Sequence, residues 1–154
     1  MPADKISILY VDDEENNLFS FKATFRIKYQ VFTAISGDEA LKILENKPIQ
    51  IIITDQRMPE MTGVEFLEKV LVKYPDPMRI LLTGYADMGA VVDAVNKGKI
   101  FHYLAKPWNE EELDMTIIRA YEKYLEKVEL KDMNEKLSGS NDQLEFMLRQ
   151  KLLS

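Results

Sequence analysis

The sequence predicts an α/β fold, a doubly wound parallel sheet of five strands with helices on both faces, and three observations point to it. Short apolar runs alternate with helical repeats five times along the chain. The run Ile51-Ile52-Ile53 has no polar face, as expected of a central parallel strand covered on both sides. Polar residues cluster just beyond the apolar runs, where an open parallel sheet presents its crevice. Strand–helix alternation of this kind builds one layered sheet, and right-handed crossovers leave few topologies for it.

Each element has its own local reason. Ile6 to Val11 reads as a buried strand ending at Asp12-Asp13, and Leu18, Phe21 and Phe25 follow at helical spacing on a helix that opens near Glu15. Val31 to Ala34 is the second strand. Ser36-Gly37 opens a helix from about Asp38 with Ala40, Leu41 and Leu44 inward. Gln50 to Thr54 is the third strand, ending at Asp55. A loop from Gln56 to Gly63 leads to a helix with Phe66, Leu67, Val70 and Leu71 inward, stopped by Pro75 and Pro77. Met78 to Thr83 is the fourth strand, and Met88, Val91, Val92 and Val95 form a helical stripe closed by Gly98. Ile100 to Leu104 is the fifth strand. Lys106-Pro107 breaks the chain, and a last helix starts near Asn109 with Glu110, Glu111 and Glu112 in a first turn that suits the helix dipole.

That last helix outruns the globular part, which divides the chain into a domain over residues 1–125 and a helical linker or coiled-coil tail over 126–154. Ile117, Tyr121, Tyr124 and Val128 form a face that packs on the sheet or on a partner. Beyond it, Leu130, Asn134, Leu137, Asn141, Leu144 and Leu148 follow the alternating four-and-three steps of a heptad seam. Ser138-Gly139-Ser140 interrupts the seam, and Ser140 with Gln143 reads as a fresh helix start. Two readings stay open for this segment, a self-associating or linking helix and a frayed end. The last residues, Lys151 to Ser154, are still amphipathic, which fits a cut inside a linker helix.

Composition excludes several function classes. The chain has 154 residues with 20 Lys+Arg against 26 Asp+Glu, a formal net charge of −6. A chain this acidic, with no local basic patch, is not expected to bind nucleic acid directly. There are no cysteines, so disulfide frameworks, cysteine zinc sites and thiol nucleophiles are all absent. The amino-terminal residues have neither signal nor transit-peptide character, and the apolar runs fall far short of the roughly 20 residues of a membrane span. No membrane partner and a cytoplasmic location are the expectation.

The strand-end residues are Asp12 and Asp13, Asp55, Thr83, and Lys106. Three carboxylates meeting in one crevice repel each other and call for a cation, and hard oxygen donors suit Mg²⁺. A lysine ammonium and a threonine hydroxyl on the rim would complete a site for a tetrahedral anion attached to one carboxylate. The chemistry this suggests is phosphoryl transfer onto an aspartate. Taken singly, each feature has a plain explanation: a helix cap at Asp12 to Glu15, a cap or turn at Asp55, turn chemistry at Thr83-Gly84 and a helix stop at Lys106-Pro107. Their coincidence in order along one strand–helix rhythm is what distinguishes the functional reading.

This set resembles the receiver domain of two-component response regulators, and Asp55-Gln56-Arg57-Met58-Pro59-Glu60-Met61-Thr62-Gly63 is similar to the loop after that family's phosphorylated aspartate. The likeness spans about residues 5 to 125. It implies a flavodoxin-like strand order 2-1-3-4-5 and a phosphoacceptor rather than an enzyme, capable at most of self-phosphorylation from small donors and self-dephosphorylation. Asp55 would be the phosphoacceptor. Asp13 would bind Mg²⁺ directly, Asp12 partly through water, with Asp55 and the Arg57 backbone carbonyl completing the set. Lys106 would pair with phosphoryl oxygens, followed by Pro107 across a cis bond. Thr83 would move toward the phosphoryl group and Tyr103 would turn inward in step, a two-state switch read on the face of the fourth helix, fifth strand and fifth helix. Arg57 and Tyr85 would border the phosphoryl group and obstruct water, giving slow self-dephosphorylation, and Gly84 would leave room for the donor.

The implied partners are a histidine kinase or phosphotransfer protein, an output domain or effector reached through the last helix, and a second copy in a homodimer. The stretch from Leu104 to Trp108 and the long last helix resemble receivers that precede cyclic-di-nucleotide phosphodiesterase, nucleotide cyclase or phosphatase domains. His102 reads as a structural or surface residue, and Trp108 as packing at the helix start. Two other aspartate or phosphate chemistries fit poorly. A haloacid-dehalogenase-like phosphatase wants a second Asp where Arg57 stands, and Asp12 to Glu15 would repel the phosphate of a flavin carrier.

Overall fold

The computed structural model describes residues 5–84 and 88–153, with side chains to residue 137. Among the described residues five strands, β1 (Ser7–Val11), β2 (Gln30–Ala34), β3 (Ile51–Asp55), β4 (Met78–Thr83) and β5 (His102–Ala105), form one sheet in the order β2-β1-β3-β4-β5. All four pairings are parallel, with Ile53 of β3 set between Tyr10 of β1 and Ile80 of β4. The helices are α1 (Glu15–Phe25), α2 (Gly37–Asn46), α3 (Gly63–Lys73), α4 (Met88–Asn96) and α5 (Glu110–Leu153). The strand order is the one the family resemblance implies. β5 begins two residues later than the apolar run suggests.

The two sheet faces bury two separate cores. Leu9, Val11, Ile52 and Leu81 face α2, α3 and α4, meeting Ala40, Leu44, Phe66, Leu67, Val70, Val91 and Ala94. Ile8, Tyr10, Ile51, Ile53, Ile80 and Leu82 face α1 and the start of α5, meeting Phe21, Phe25, Leu113, Ile117 and Ala120. Burying an isoleucine contributes about 2 kcal/mol, and Ile51, Ile52 and Ile53 are all fully buried, so β3 anchors both layers. One helical face differs from its periodicity: Val92 of α4 is exposed, and Ala94 takes the inward place. An inward Ala lets α4 lie close to the sheet, and Val91 on the next turn completes the contact.

Caps fix the helices that frame the crevice. Ser36 accepts from the Glu39 amide at 3.1 Å at the head of α2, and Thr62 with Glu65 forms a reciprocal capping box at α3. The Asn109 side chain accepts from the Glu112 amide at 3.0 Å at the head of α5. Gly98 (φ 73°) follows α4, in the left-handed conformation that glycine adopts without steric cost. The chain divides into two units, Met1–Tyr124 and Leu125–Ser154. The second is helical; of its described apolar residues Leu125, Leu130, Met133 and Leu137 are exposed and Val128 is half-buried. The backbone of α5 continues through Ser138-Gly139-Ser140, so the break expected there does not occur.

Candidate functional site

The strand parity that builds the α1/α5 core also aims the site residues. Asp12 lies two residues beyond Tyr10, Asp55 two beyond Ile53 and Lys106 two beyond Leu104, and Tyr10, Ile53 and Leu104 all belong to that core. Alternation along a strand carries each of the three onto the same face at the carboxyl edge. The neighbouring strands β1 and β3 flank the point where the chain turns to opposite sides of the sheet, which opens a crevice between their ends. Lys106 reaches into it from β5. The sequence distance is 94 residues to Asp12, the spatial distance 3.4 Å from Nζ to Oδ2, with Asp55 Oδ1 nearer still at 3.1 Å.

Carboxylate oxygens of Asp12, Asp13 and Asp55 lie within 4.8 Å of one another. Asp12 is fully buried, Asp55 is buried and Asp13 is half-exposed. Burial pushes the Asp55 carboxyl above the usual aspartate range, and the Asp12 charge adds to this while the Lys106 ammonium opposes it. Burial alone would lower the pKa of Lys106; its hydrogen bond to Asp55 and the charges of Asp55 and Asp12 outweigh burial, and it stands above the ordinary lysine value. The lysine is therefore held charged, facing a crowd of carboxylates.

Asp12 does not cap α1. Its Oδ1 accepts from the Glu14 amide at 3.0 Å, and its Oδ2 accepts from the Tyr10 hydroxyl at 3.0 Å and from Asn17 Nδ2 at 3.1 Å. Glu14 stands at the cap position without a side-chain cap bond. Thr83 is buried at the end of β4, where its hydroxyl donates to the Gly84 carbonyl oxygen at 3.1 Å. The Lys106–Pro107 peptide bond is cis, and the Lys106 amide donates to the Thr83 carbonyl at 3.0 Å. Tyr103 is half-buried against the α2–α4 core, on the opposite face from Lys106. His102 is exposed. Arg57 is exposed in the loop after β3, and Tyr85 lies outside the described residues.

The loop after β3 is held by a residue that the sequence reading passed over. Gln56 is buried; its carbonyl accepts from the Gly63 amide at 3.0 Å and its side-chain oxygen from the Val64 amide at 2.9 Å. The chain between them turns through Glu60 at φ 69°. Tyr10 and Asn17 were missed as well. Tyr10 carried a usable signal, because a buried tyrosine hydroxyl needs a partner and the residue two along a strand shares its face. Gln56 carried none, because its partners belong to the loop's own fold.

Comparison with known proteins places this geometry. Residues 8–118 match the response regulator receiver domain. The chain is 37% identical over 122 residues to the hydrogenase transcriptional regulatory protein HoxA of Cupriavidus necator, covering 79% of this chain and 25% of that protein. It spans about a quarter of the length of the first curated relatives it matches. Among solved structures, a response regulator receiver domain from Clostridium thermocellum superposes with a TM-score of 0.73 at 33% identity, over 77% of this chain and 95% of that one. A structure described as an adenylate cyclase from Rhodopirellula baltica superposes with a TM-score of 0.83 at 31% identity, over 86% of this chain and 98% of that one. Receiver domains of this family are phosphoacceptor switches rather than enzymes. With five strands in the order 2-1-3-4-5, three clustered carboxylates and a family match over most of its length, the chain belongs to the response regulator receiver domain family.

Proposed function

We propose that Asp55 is the phosphoacceptor of a two-component phosphorelay and takes its phosphoryl group from a histidine kinase or phosphotransfer protein. The observation that supports this most directly is the Lys106 ammonium 3.1 Å from the Asp55 carboxylate, beside the Asp12 and Asp13 carboxylates. An Asp55 oxygen attacks the phosphorus of a phosphoimidazole, the P–N bond breaks, and the imidazole leaves with the bonding electron pair and takes a proton. Lys106 faces the negative charge on the transferred group, and the closed β3–α3 loop fixes the attacking carboxylate.

The donor set suits a divalent cation. Three carboxylates against one ammonium leave an excess of two negative charges in a largely buried crevice, and oxygen ligands of this kind favour Mg²⁺. Asp12, Asp13, Asp55 and the Arg57 backbone carbonyl would hold it, and the bound ion would supply positive charge toward the phosphoryl oxygens. Arg57, two residues after Asp55, slows the hydrolysis of the group.

Thr83 turns from the Gly84 carbonyl toward the phosphoryl oxygens, and Tyr103 follows, so that the surface of α4, β5 and α5 reports the state of Asp55. Residues 1–125 act as the receiver, and 126–154 act as the linker that passes the signal to an output domain or effector in the cytoplasm. Nucleic acid is met, if at all, through such an output domain. Among the described residues no helix is long and apolar enough to cross a membrane.

Intact-mass analysis after incubation with Mg²⁺ and acetyl phosphate tests the assignment. The expected result is one added phosphoryl group, lost in Asp55→Asn and lost without Mg²⁺. An adduct that survives Asp55→Asn refutes Asp55 as the acceptor. If small donors give no adduct, beryllofluoride binding takes its place, with the same dependence on Asp55 expected.

A further inference from the structure

Asp12 Oδ2 is crowded with donors. The Tyr10 hydroxyl donates at 3.0 Å, Asn17 Nδ2 at 3.1 Å and Lys106 Nζ at 3.4 Å, while Oδ1 takes the Glu14 amide. Two of these donors have other partners. Lys106 also serves Asp55 and Asn17 also reaches Glu14 at 3.3 Å, whereas the Glu14 amide gives its one proton to Asp12 Oδ1. The Tyr10 hydroxyl donates to Asp12 alone, because it has only one proton to give.

Tyr10 is fully buried, and its ring is locked from the side. It stacks on Phe21 with centroids 4.2 Å apart and planes 4° from parallel. Phe21 in turn meets the Trp108 ring edge-on at 6.1 Å, and Trp108 also packs on Phe25 at 5.8 Å. Tyr10, Asn17, Lys106, Pro107 and Trp108 line one cavity of about 350 Å³ beside the acidic crevice. Trp108 stands immediately before the cap of α5. A continuous line of contacts therefore runs from one carboxylate of the site to the start of the last helix.

We propose that Tyr10 is a positioning residue for the metal site, holding the Asp12 carboxylate in the orientation the cation needs, and that its contacts with Phe21 and Trp108 transmit occupancy of that site to the start of α5. This rests on the assignment of Asp12 as a Mg²⁺ ligand. Groups that orient a metal's carboxylate ligands matter to affinity by about 10-fold or more. With Asn17 and the Glu14 amide still in place, loss of the Tyr10 hydroxyl belongs at the low end of that range. A tyrosine that merely satisfies a buried hydroxyl would leave metal affinity and the Trp108 environment untouched.

Trp108 is the only tryptophan in the chain, so its emission reads the start of α5 without added labels. The experiment titrates Mg²⁺ into the full chain and into Tyr10→Phe, with affinity measured by calorimetry and Trp108 emission followed in parallel. Far-ultraviolet circular dichroism checks that both are folded. The expected result is a saturable emission change in the wild type. In Tyr10→Phe, affinity falls by about 10-fold and most of the emission change at saturation is lost. If the wild type binds Mg²⁺ with no emission change, or if Tyr10→Phe matches it in affinity and emission, the proposal is overturned while the metal site stands. If the wild type shows no binding, the metal assignment falls and the proposal falls with it. Should Tyr10→Phe not fold, Phe21→Leu replaces it, with the emission change expected to shrink and an unchanged response overturning the transmission.

Discussion

Gly63 offers the sharpest test of how the phosphoacceptor strand is held. A Cβ built on Gly63 would sit 2.8 Å from Leu81 Cδ1 and 3.1 Å from the Asp55 carbonyl carbon, and closer still to the Asp55 carbonyl oxygen. Ordinary contact begins near 3.4 Å, so Gly63→Ala forces the head of α3 away from β3 by more than half an ångström. Leu81 can rotate aside, but the Asp55 backbone cannot. The retreat strains the Gly63 amide bond to the Gln56 carbonyl and the Val64 amide bond to the Gln56 side chain. It also lifts Phe66 and Leu67, both fully buried, from the sheet. Overpacking of this kind costs about 1–3 kcal/mol, and weakening a buried hydrogen bond adds about 1 kcal/mol, so we expect a loss of about 3 kcal/mol. Urea denaturation at constant m-value measures it. Gly89 in α4 has nothing within 4 Å of its would-be Cβ, so Gly89→Ala should gain up to about 1 kcal/mol from helix propensity. A Gly63→Ala protein within about 0.5 kcal/mol of wild type, a difference typical of a neutral surface change, would refute the reasoning.

Two further outcomes follow from charge and from the tail. The folded pKa of Asp55 is raised, first by burial, so ionising this group costs stability. The cost is absent below the unfolded pKa and sets in as pH rises through the folded one. Asp55→Asn should therefore melt no lower than wild type at pH 7 without metal, and the difference should vanish as pH falls toward the unfolded value of about 3.8; a lower Tm for the variant at pH 7 contradicts this. In the second unit, Leu130 and Leu137 are exposed at seam spacing, and we expect them to pair with a second copy. Sedimentation should then show a dimer that Leu130→Asp combined with Leu137→Asp converts to monomer, and the same mass for both proteins would end that reading.

The local features of this protein were legible because they follow from short-range periodicity and from charge. Three consecutive isoleucines with no polar face are what a doubly covered strand presents, and an Asp two residues beyond an inward strand residue continues that residue's face. The meeting of Asp12 and Asp55 with Lys106, and the capped starts of α2 and α5, are consequences of that parity and of capping chemistry. What periodicity does not encode is which of several adjacent apolar residues a helix turns inward. Val92 lost that place to Ala94 because the approach of α4 to the sheet, rather than hydrophobicity, decided it.

Other contacts depended on tertiary structure in the same way. Gln56 closes the loop after β3, and Gly63 meets the Asp55 backbone. Both depend on distances set by the fold of the loop and by helix packing, and no residue's neighbours in sequence report them. By itself the sequence determined the charges at the crevice and the strand ends that carry them. Only the folded chain, by bringing Lys106 across from β5 and stacking Phe21 and Trp108 behind Tyr10, decided which groups hold those charges in place.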